Sequence, residues 1–338
     1  GINPSVGCVI VKDDNIISVG QTGYGGRPHA EYNAIKNSNV NLKGSKMYIT
    51  LEPCNHYGKT PPCTNLIIKK KINEVLYSVE DIDKKVKGKS FKILKSKNII
   101  AKKGLLKNDV SNFYATYFFN RKNKLPYITG KIAISKNNVI YSKKIIKITD
   151  IHSDKLTHFL RYKNDSIMIS YKTLNKDNPK LNCRLEGLGK LSPKRVILDN
   201  NLNTKTNSYI FKTVEKKNTI IFYNDANKEK IDLFKKKGIQ LIKSNLTKNH
   251  YFNLKTILKK LYKIGCRNLL VEGGDDLSGS FLKDKLFNQF YFFKSKNILS
   301  KSLPYKDFNH LKYLIQNYKN KTKINIKKSK DLITLYKK

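Results

Sequence analysis

Val6 to Val11 is an unbroken apolar run that stops at Lys12-Asp13-Asp14-Asn15, and a second run, Ile16 to Val19, follows at once. The pattern predicts a hairpin of two buried strands. A glycine-rich loop occupies Gly20 to Pro28. His29 to Asn37 then carries apolar residues at helical spacing, Met47 to Leu51 reads as a short strand, Pro62 to Lys71 as a helix with prolines at its start, and Glu74 to Val79 as another strand. Strands alternating with helices on this scale predict a layered α/β domain with a partly parallel sheet.

Near residue 121 the pattern breaks at Arg121-Lys122-Asn123-Lys124-Leu125-Pro126, a charged stretch closed by a proline that disfavours helix just before it. The boundary is placed there, giving one domain over residues 1–122 and a second over 127–338. In the second, strands are expected at Tyr127 to Ile134, Ser166 to Ser170, Arg195 to Leu198, Thr219 to Tyr223 and Asn268 to Val271, with helices between several of them, notably Leu254 to Ile264. No internal repeat relates the two parts.

A length of 338 residues with 39% apolar content excludes a disordered tail and suits two domains with real cores. No apolar run approaches the roughly 20 residues of a bilayer crossing, and the chain opens on Gly1-Ile2-Asn3-Pro4 without the features of a secretory leader. The net charge of +43 would ordinarily prompt a nucleic-acid reading. Its excess pervades both halves, however, and consists almost wholly of Lys, whereas base reading favours clustered Arg. No specific nucleic acid and no membrane are expected as partners; salt-sensitive polyanion binding is the rival from another class. Five cysteines and no leader point to a reducing, cytoplasmic location and to metal or catalytic roles for some of them. Cys8, Cys183 and Cys266 lie in or beside apolar or turn sequence and read as small buried hydrophobes.

Cys54 and Cys63 differ. His29-Ala30-Glu31 is followed by Pro53-Cys54 and then Pro62-Cys63. One imidazole and two thiolates make three protein ligands, the number a catalytic zinc takes when its fourth position is left for water. Glu31, two residues beyond His29 at a helix start, stands where a proton shuttle belongs. Both cysteines are expected at or near helix N-termini, which favour thiolate. An H-x-E…P-C arrangement of this kind marks the zinc deaminases of nucleobases.

Asn3-Pro4-Ser5-Val6-Gly7, His29-Ala30-Glu31 and Leu51-Glu52-Pro53-Cys54-Asn55-His56-Tyr57-Gly58-Lys59-Thr60-Pro61-Pro62-Cys63 closely resemble the deaminase half of the bifunctional riboflavin biosynthesis deaminase-reductases, the RibD/RibG family, whose mark is the insertion between the cysteines. The resemblance implies that His56 and Lys59 contact a pyrimidine ribosylamine phosphate and that Asn3 contacts the heterocycle. Family members carry a helix of roughly twenty residues ahead of the Asn-Pro segment. This sequence begins inside that region, so one face of the first sheet is expected to be open.

The second part resembles the reductase half of the same family, whose fold is like dihydrofolate reductase. Lys131-Ile132-Ala133-Ile134-Ser135, Ile148-Thr149, the stretch Thr173 to Arg184, and Val271-Glu272-Gly273-Gly274 carry the likeness. The implied fold is a zinc cytidine-deaminase-like three-layer domain followed by a dihydrofolate-reductase-like α/β domain. The implied cofactors are Zn2+ and NADPH, with Lys131 and Asp177 catalytic, Arg184 and Glu272 on the substrate, and Thr149, Thr173, Gly273 and Gly274 on the cofactor. For Glu272 a charge near a helix start, and for Thr173 a simple turn residue, are equally open readings. Three stretches depart from the family: Ser135-Lys136-Asn137-Asn138 replaces Ser-Leu-Asp-Gly, the segment before Ile148 is shortened with Lys147 in place of a Trp, and Lys294 to Leu299 replaces a proline- and glycine-containing run. Asn tolerates left-handed backbone angles, so the first turn is expected to survive.

The expected function is two-step riboflavin synthesis. A diaminopyrimidinone ribosylamine phosphate is deaminated at zinc, and its ribosyl group is then reduced to ribityl with NADPH. The alternatives are a deaminase with an inactive second half and a nucleoside or nucleic-acid deaminase, and the eight-residue insert between the cysteines disfavours the latter. A homo-oligomer is expected.

Overall fold

The first two apolar runs become β1 (Gly7–Lys12) and β2 (Asn15–Gln21) in the computed structural model, which describes residues 3–143, 147–214, 218–302 and 304–338. Their turn falls on Asp13 and Asp14, with φ of 48° and 56°. Two consecutive left-handed residues match the twist of the flanking strands. The hairpin opens the first of two units, Gly1–Lys124 and Leu125–Lys338.

In the first unit α1 (Ala30–Lys36), β3 (Lys46–Leu51), α2 (Cys63–Lys69), β4 (Glu74–Val79), α3 (Lys89–Ser96), β5 (Ile100–Lys103), α4 (Lys107–Phe113) and α5 (Ala115–Asn123) follow the hairpin. The sheet order is β2-β1-β3-β4-β5, with β1 antiparallel to both neighbours and β3, β4 and β5 parallel. Alternation sends Cys8, Ile10, Met47, Ile49, Val75 and Tyr77 to one face, where they are buried with Ala34 of α1, Ile67 of α2 and Leu94 of α3. The other face carries Val9, Tyr48, Thr50 and Leu76. It is bordered by Leu105, Leu106 and Val110 and holds an open groove of about 710 Å3.

The second unit begins with β6 (Tyr127–Ile134), β7 (Val139–Ser142), α6 (Ile151–Lys163), β8 (Ser166–Ser170), α7 (Tyr171–Asp177), β9 (Lys194–Leu198), α8 (Tyr209–Lys212) and β10 (Thr219–Tyr223). It continues through α9 (Lys228–Lys236), β11 (Gln240–Lys243), α10 (Leu254–Lys263), β12 (Asn268–Val271) and α11 (Asp275–Lys283). β13 (Gln289–Lys294), β14 (Tyr305–Asp307), α12 (Leu311–Asn317), β15 (Asn320–Ile324) and β16 (Leu332–Lys337) complete it. The large sheet runs β11-β10-β9-β8-β12-β6-β13-β16-β15, parallel as far as β13 and antiparallel thereafter, while β7 and β14 pair separately.

Helices cover both faces of the parallel part, which is why its strands read as continuous apolar runs. Met168, Val196, Phe222 and Leu269 pack with Leu258 of α10 and Phe281 of α11, and Ile167, Ile197, Ile221 and Leu270 pack with Leu160 of α6 and Phe234 of α9. Cys8, Cys183 and Cys266 are buried, as their apolar surroundings suggest.

The β6–β7 turn survives the loss of its family residues. Asn138 takes φ 66°, and Ser135 donates its N–H to the Val139 carbonyl at 2.9 Å. Two of the departing stretches support each other: the Asn137 side chain donates to the Leu299 carbonyl at 2.8 Å and accepts the Leu299 N–H at 3.1 Å. Residues 144–146 of the shortened stretch before Ile148 lie outside the described residues.

Asp150 caps α6. Its carboxylate accepts the N–H groups of His152 and Ser153 at 2.9 and 2.8 Å, and Ser329 Oγ and the Lys330 N–H at 2.8 and 2.7 Å. Partial burial pushes the acid up, but these donors outweigh it and its pKa falls to about 2. Asp150→Ala should therefore lower the unfolding free energy at neutral pH by roughly 1–2 kcal/mol. A depressed carboxylate pKa stabilises above the ordinary value and stops doing so as pH falls through the folded one. The gap between wild type and variant in urea titrations should thus narrow from about pH 4 downward, and a pH-independent gap would contradict this origin.

Candidate active sites

His29 is the residue before α1 and Cys63 the first residue of α2, with Pro62 before it. Cys54 was expected, like Cys63, at or near a helix N-terminus. It lies in the extended segment after β3, and its sulfur accepts the backbone N–H of Cys63 at 3.2 Å, so it stands at the start of α2. The sulfurs of Cys54 and Cys63 approach His29 Nδ1 at 3.5 and 3.4 Å, and the three donor atoms lie within 4.8 Å of one another. The Cys63 thiol donates toward Cys54, which lowers the Cys54 pKa to about 4, whereas the same bond and burial push Cys63 up. A divalent cation at this point would turn both sulfurs into thiolates. One imidazole and two thiolates at this spacing suit zinc with a position to spare.

Glu31 sits in the first turn of α1 and is 4% exposed. Burial raises its pKa to about 7. It lines a cavity of about 220 Å3 with His29, Cys54, Asn3 and His56. His56 Nδ1 is buried there without a hydrogen-bond partner among the described residues, and Asn3 Nδ2 reaches the Gly26 carbonyl at 3.4 Å. Lys59 is exposed at the tip of the insert and is not among the residues lining this cavity. Arg27 and Arg121 are, and nothing in the local sequence singles them out. Glu52 holds the floor: its carboxylate accepts the N–H groups of Asp81, Gly88 and Ser90 at 3.3, 3.0 and 3.2 Å.

In the second unit Lys131, Thr149, Thr173, Asp177, Arg184, Glu272, Gly273 and Gly274 all line one cavity of about 520 Å3. Thr149 donates to Asp154 at 2.9 Å, and Lys147 pairs with the same carboxylate at 2.5 Å. Thr173 faces the glycine turn, since a Cβ on Gly274 would come within 3.9 Å of its hydroxyl oxygen. Glu272 is not a helix cap. It takes both Arg161 nitrogens Nε and Nη2 at 2.8 Å, and the guanidinium holds its carboxyl below the usual range against the upward push of burial. Arg161 also donates to the Asn182 carbonyl at 3.2 Å, and His158 Nδ1 accepts the Arg184 N–H at 3.2 Å, so α6 fixes the loop that presents Arg184. Lys131 lies over the Phe293 ring at 4.9 Å; burial pushes its ammonium pKa down while Glu272 opposes the shift.

Two acids occupy the first turn of α11, where an anion would otherwise be favoured. Asp275 is turned into the protein and held by His310 Nδ1 at 2.7 Å and by Asn309, and Asp276 pairs with Lys306 at 3.0 Å. Both charges are therefore partnered.

A His-Cys-Cys cluster followed in the same chain by a second α/β unit with a glycine turn at a strand end is the order of the bifunctional deaminase-reductases. Residues 1–79 match the cytidine and deoxycytidylate deaminase zinc-binding region, and residues 130–296 match the RibD C-terminal domain. The riboflavin biosynthesis protein RibD of Aquifex aeolicus is 33% identical over 307 residues, covering 90% of this chain and 84% of that protein. Among solved structures, RibD of Acinetobacter baumannii superposes with a TM-score of 0.82 at 26% identity, covering 99% of this chain and 92% of the other. A diaminohydroxyphosphoribosylaminopyrimidine deaminase/5-amino-6-(5-phosphoribosylamino)uracil reductase of Thermotoga maritima gives 0.80 at 27% identity, covering 99% and 93%. This chain belongs to the RibD family of riboflavin biosynthesis proteins, with zinc and NADPH as its cofactors.

Arg161 and Glu272 have side chains only 11% and 13% exposed. Arg161→Met leaves the carboxylate without its main partner and should cost about 3 kcal/mol in denaturant titrations, while Arg161→Met/Glu272→Leu should recover much of that loss. Equal stability of Arg161→Met and wild type would show that the pair carries no such load.

Proposed function

We propose that the first unit removes the amino group of a diaminopyrimidinone ribosylamine 5'-phosphate by hydrolysis and that the second reduces the ribosyl group of the product to ribityl with NADPH. The observation that carries this reading is the meeting of His29, Cys54 and Cys63 beside a buried carboxyl, Glu31, in a chain whose second unit gathers eight residues of the expected reductase set around one cavity. His29 Nδ1 and the two sulfurs hold the zinc, which when bound supplies a Lewis acid for activating water.

Glu31 moves the protons. With a pKa near neutrality it accepts one from the attacking water and delivers it to the ring nitrogen, then takes the second from the added hydroxyl and passes it to the departing amine, so that ammonia leaves and a carbonyl remains. His56 and Asn3 face the same space and orient the pyrimidine. In the second cavity Arg184 takes the substrate phosphate, and Glu272, held by Arg161, engages the ribosyl hydroxyls. A nicotinamide held in this cavity would supply hydride chemistry for a ribosyl C1 opened as an imine. Asp177 and Lys131, which both line the cavity, supply the proton that accompanies the hydride. Thr149, Thr173 and the Gly273-Gly274 turn receive the cofactor. All five cysteines are free, which supports a reducing, cytoplasmic setting.

Glu31→Gln should keep one zinc per chain by metal analysis yet lose ammonia release by a factor of at least 100. Loss of zinc together with activity would make Glu31 a ligand instead. Asp177→Ala should abolish NADPH oxidation with the deaminated substrate and leave deamination intact. An Asp177→Ala variant that oxidises NADPH at the wild-type rate would remove that residue from the mechanism.

A further inference from the structure

Six of the chain's 68 basic residues are arginines, and only two of them, Arg27 and Arg121, fall in the first unit. Both line the deaminase cavity. In a sequence that supplies lysine almost everywhere, the planar fork of arginine at these two places suggests a geometric demand. The two are not equivalent. Arg121 lies over the Tyr117 ring at 5.5 Å, beside Asp81, whose carboxylate accepts the Tyr117 hydroxyl at 3.1 Å, so its charge is already offset. Arg27 has no carboxylate partner among the described residues. Its Nη1 donates to the neutral Thr60 Oγ1 at 2.5 Å, and a Cβ on Gly58 would stand 3.4 Å from Nη2, so the guanidinium lies along the insert between the cysteines with donors to spare. Lys59, the cation on that insert, is exposed and outside the lining of the cavity.

We propose that Arg27 binds the phosphate of the deaminase substrate and sets this site's preference for phosphorylated pyrimidines. The inference rests on the deaminase reading of the first cavity. A half-buried guanidinium held by an uncharged acceptor at the edge of a metal-side cavity is an anion receptor, and the remaining N–H groups can grip two phosphate oxygens at once. Lysine would keep the charge but lose that paired grip.

Ammonia release is measured on the ribosylamine 5'-phosphate substrate and on its dephosphorylated form, with zinc content checked for every variant. Wild type should prefer the phosphorylated form by about 100-fold in kcat/KM, the worth of two charge-assisted hydrogen bonds. Arg27→Ala should erase most of that preference through KM while leaving turnover of the dephosphorylated form within about threefold. Arg27→Lys should fall between, and Lys59→Ala should change the preference less than threefold. If Arg27→Ala slows both substrates equally, Arg27 merely props the insert and the proposal fails. It fails as well if Lys59→Ala is the variant that erases the preference. Calorimetric titration with ribose 5-phosphate, which requires no deamination, separates this inference from the reading it rests on. Measured in an Arg184→Ala background, which removes the phosphate contact of the second cavity, binding that is lost on adding Arg27→Ala upholds the anion site even for a protein that releases no ammonia, and binding unchanged on adding Arg27→Ala overturns it.

Discussion

Three donor atoms from distant parts of the chain have to meet within 4.8 Å, and the rest of the first unit is arranged around that meeting. β3 ends at Leu51, and Glu52-Pro53-Cys54 continues beyond it, while the starts of α1 and α2 bring His29 and Cys63 to the same end of the sheet. A slip of one residue in β3 would turn Met47, Ile49 and Leu51 out of the core and carry Cys54 away from its partners. Glu52 stops the neighbouring loop from drifting, because its carboxylate is spent on three backbone donors after β4. The apolar alternation of the strands is therefore also what sets the metal geometry.

The second unit meets its constraint with a buried charge pair. Arg161 of α6 ties Glu272, at the end of β12, to the loop after α7 that carries Arg184, reaching both the Glu272 carboxylate and the Asn182 carbonyl. The cavity lies beyond the carboxyl ends of β8 and β12, which are parallel neighbours, the usual place for a ligand in such a sheet. Around it the two departing stretches of sequence, the β6–β7 turn and the segment after β13, are joined by the hydrogen bonds of Asn137 to Leu299, so their changes are structurally consistent with one another.

Much of this was legible in sequence because it depends on local spacing. Period-two and continuous apolar runs gave the central strands, and the His-x-Glu pair with its proline-preceded cysteines gave the metal site. What stayed hidden depends on distance or direction. Arg161 lies 111 residues from Glu272, and within its helix it reads as one more surface cation. Lys59 drew attention because the insert carries it, yet the direction in which a loop presents its side chains is a tertiary property: Lys59 is outside the lining of the cavity and Arg27 is within it. β15, with four of its five residues exposed and lysines at 321 and 323, has no apolar pattern; it is an edge strand whose lysines discourage further pairing.

The central claim is that one chain carries two chemically linked active sites. Mass spectrometry of the products formed from the diaminopyrimidinone ribosylamine phosphate tests it most directly. Zinc-loaded protein alone should yield the deaminated species with the ribosyl group intact, and addition of NADPH should carry that species on to the ribityl form with the phosphate retained. An unchanged substrate in the first incubation, or a deaminated product that NADPH leaves untouched, would contradict the account.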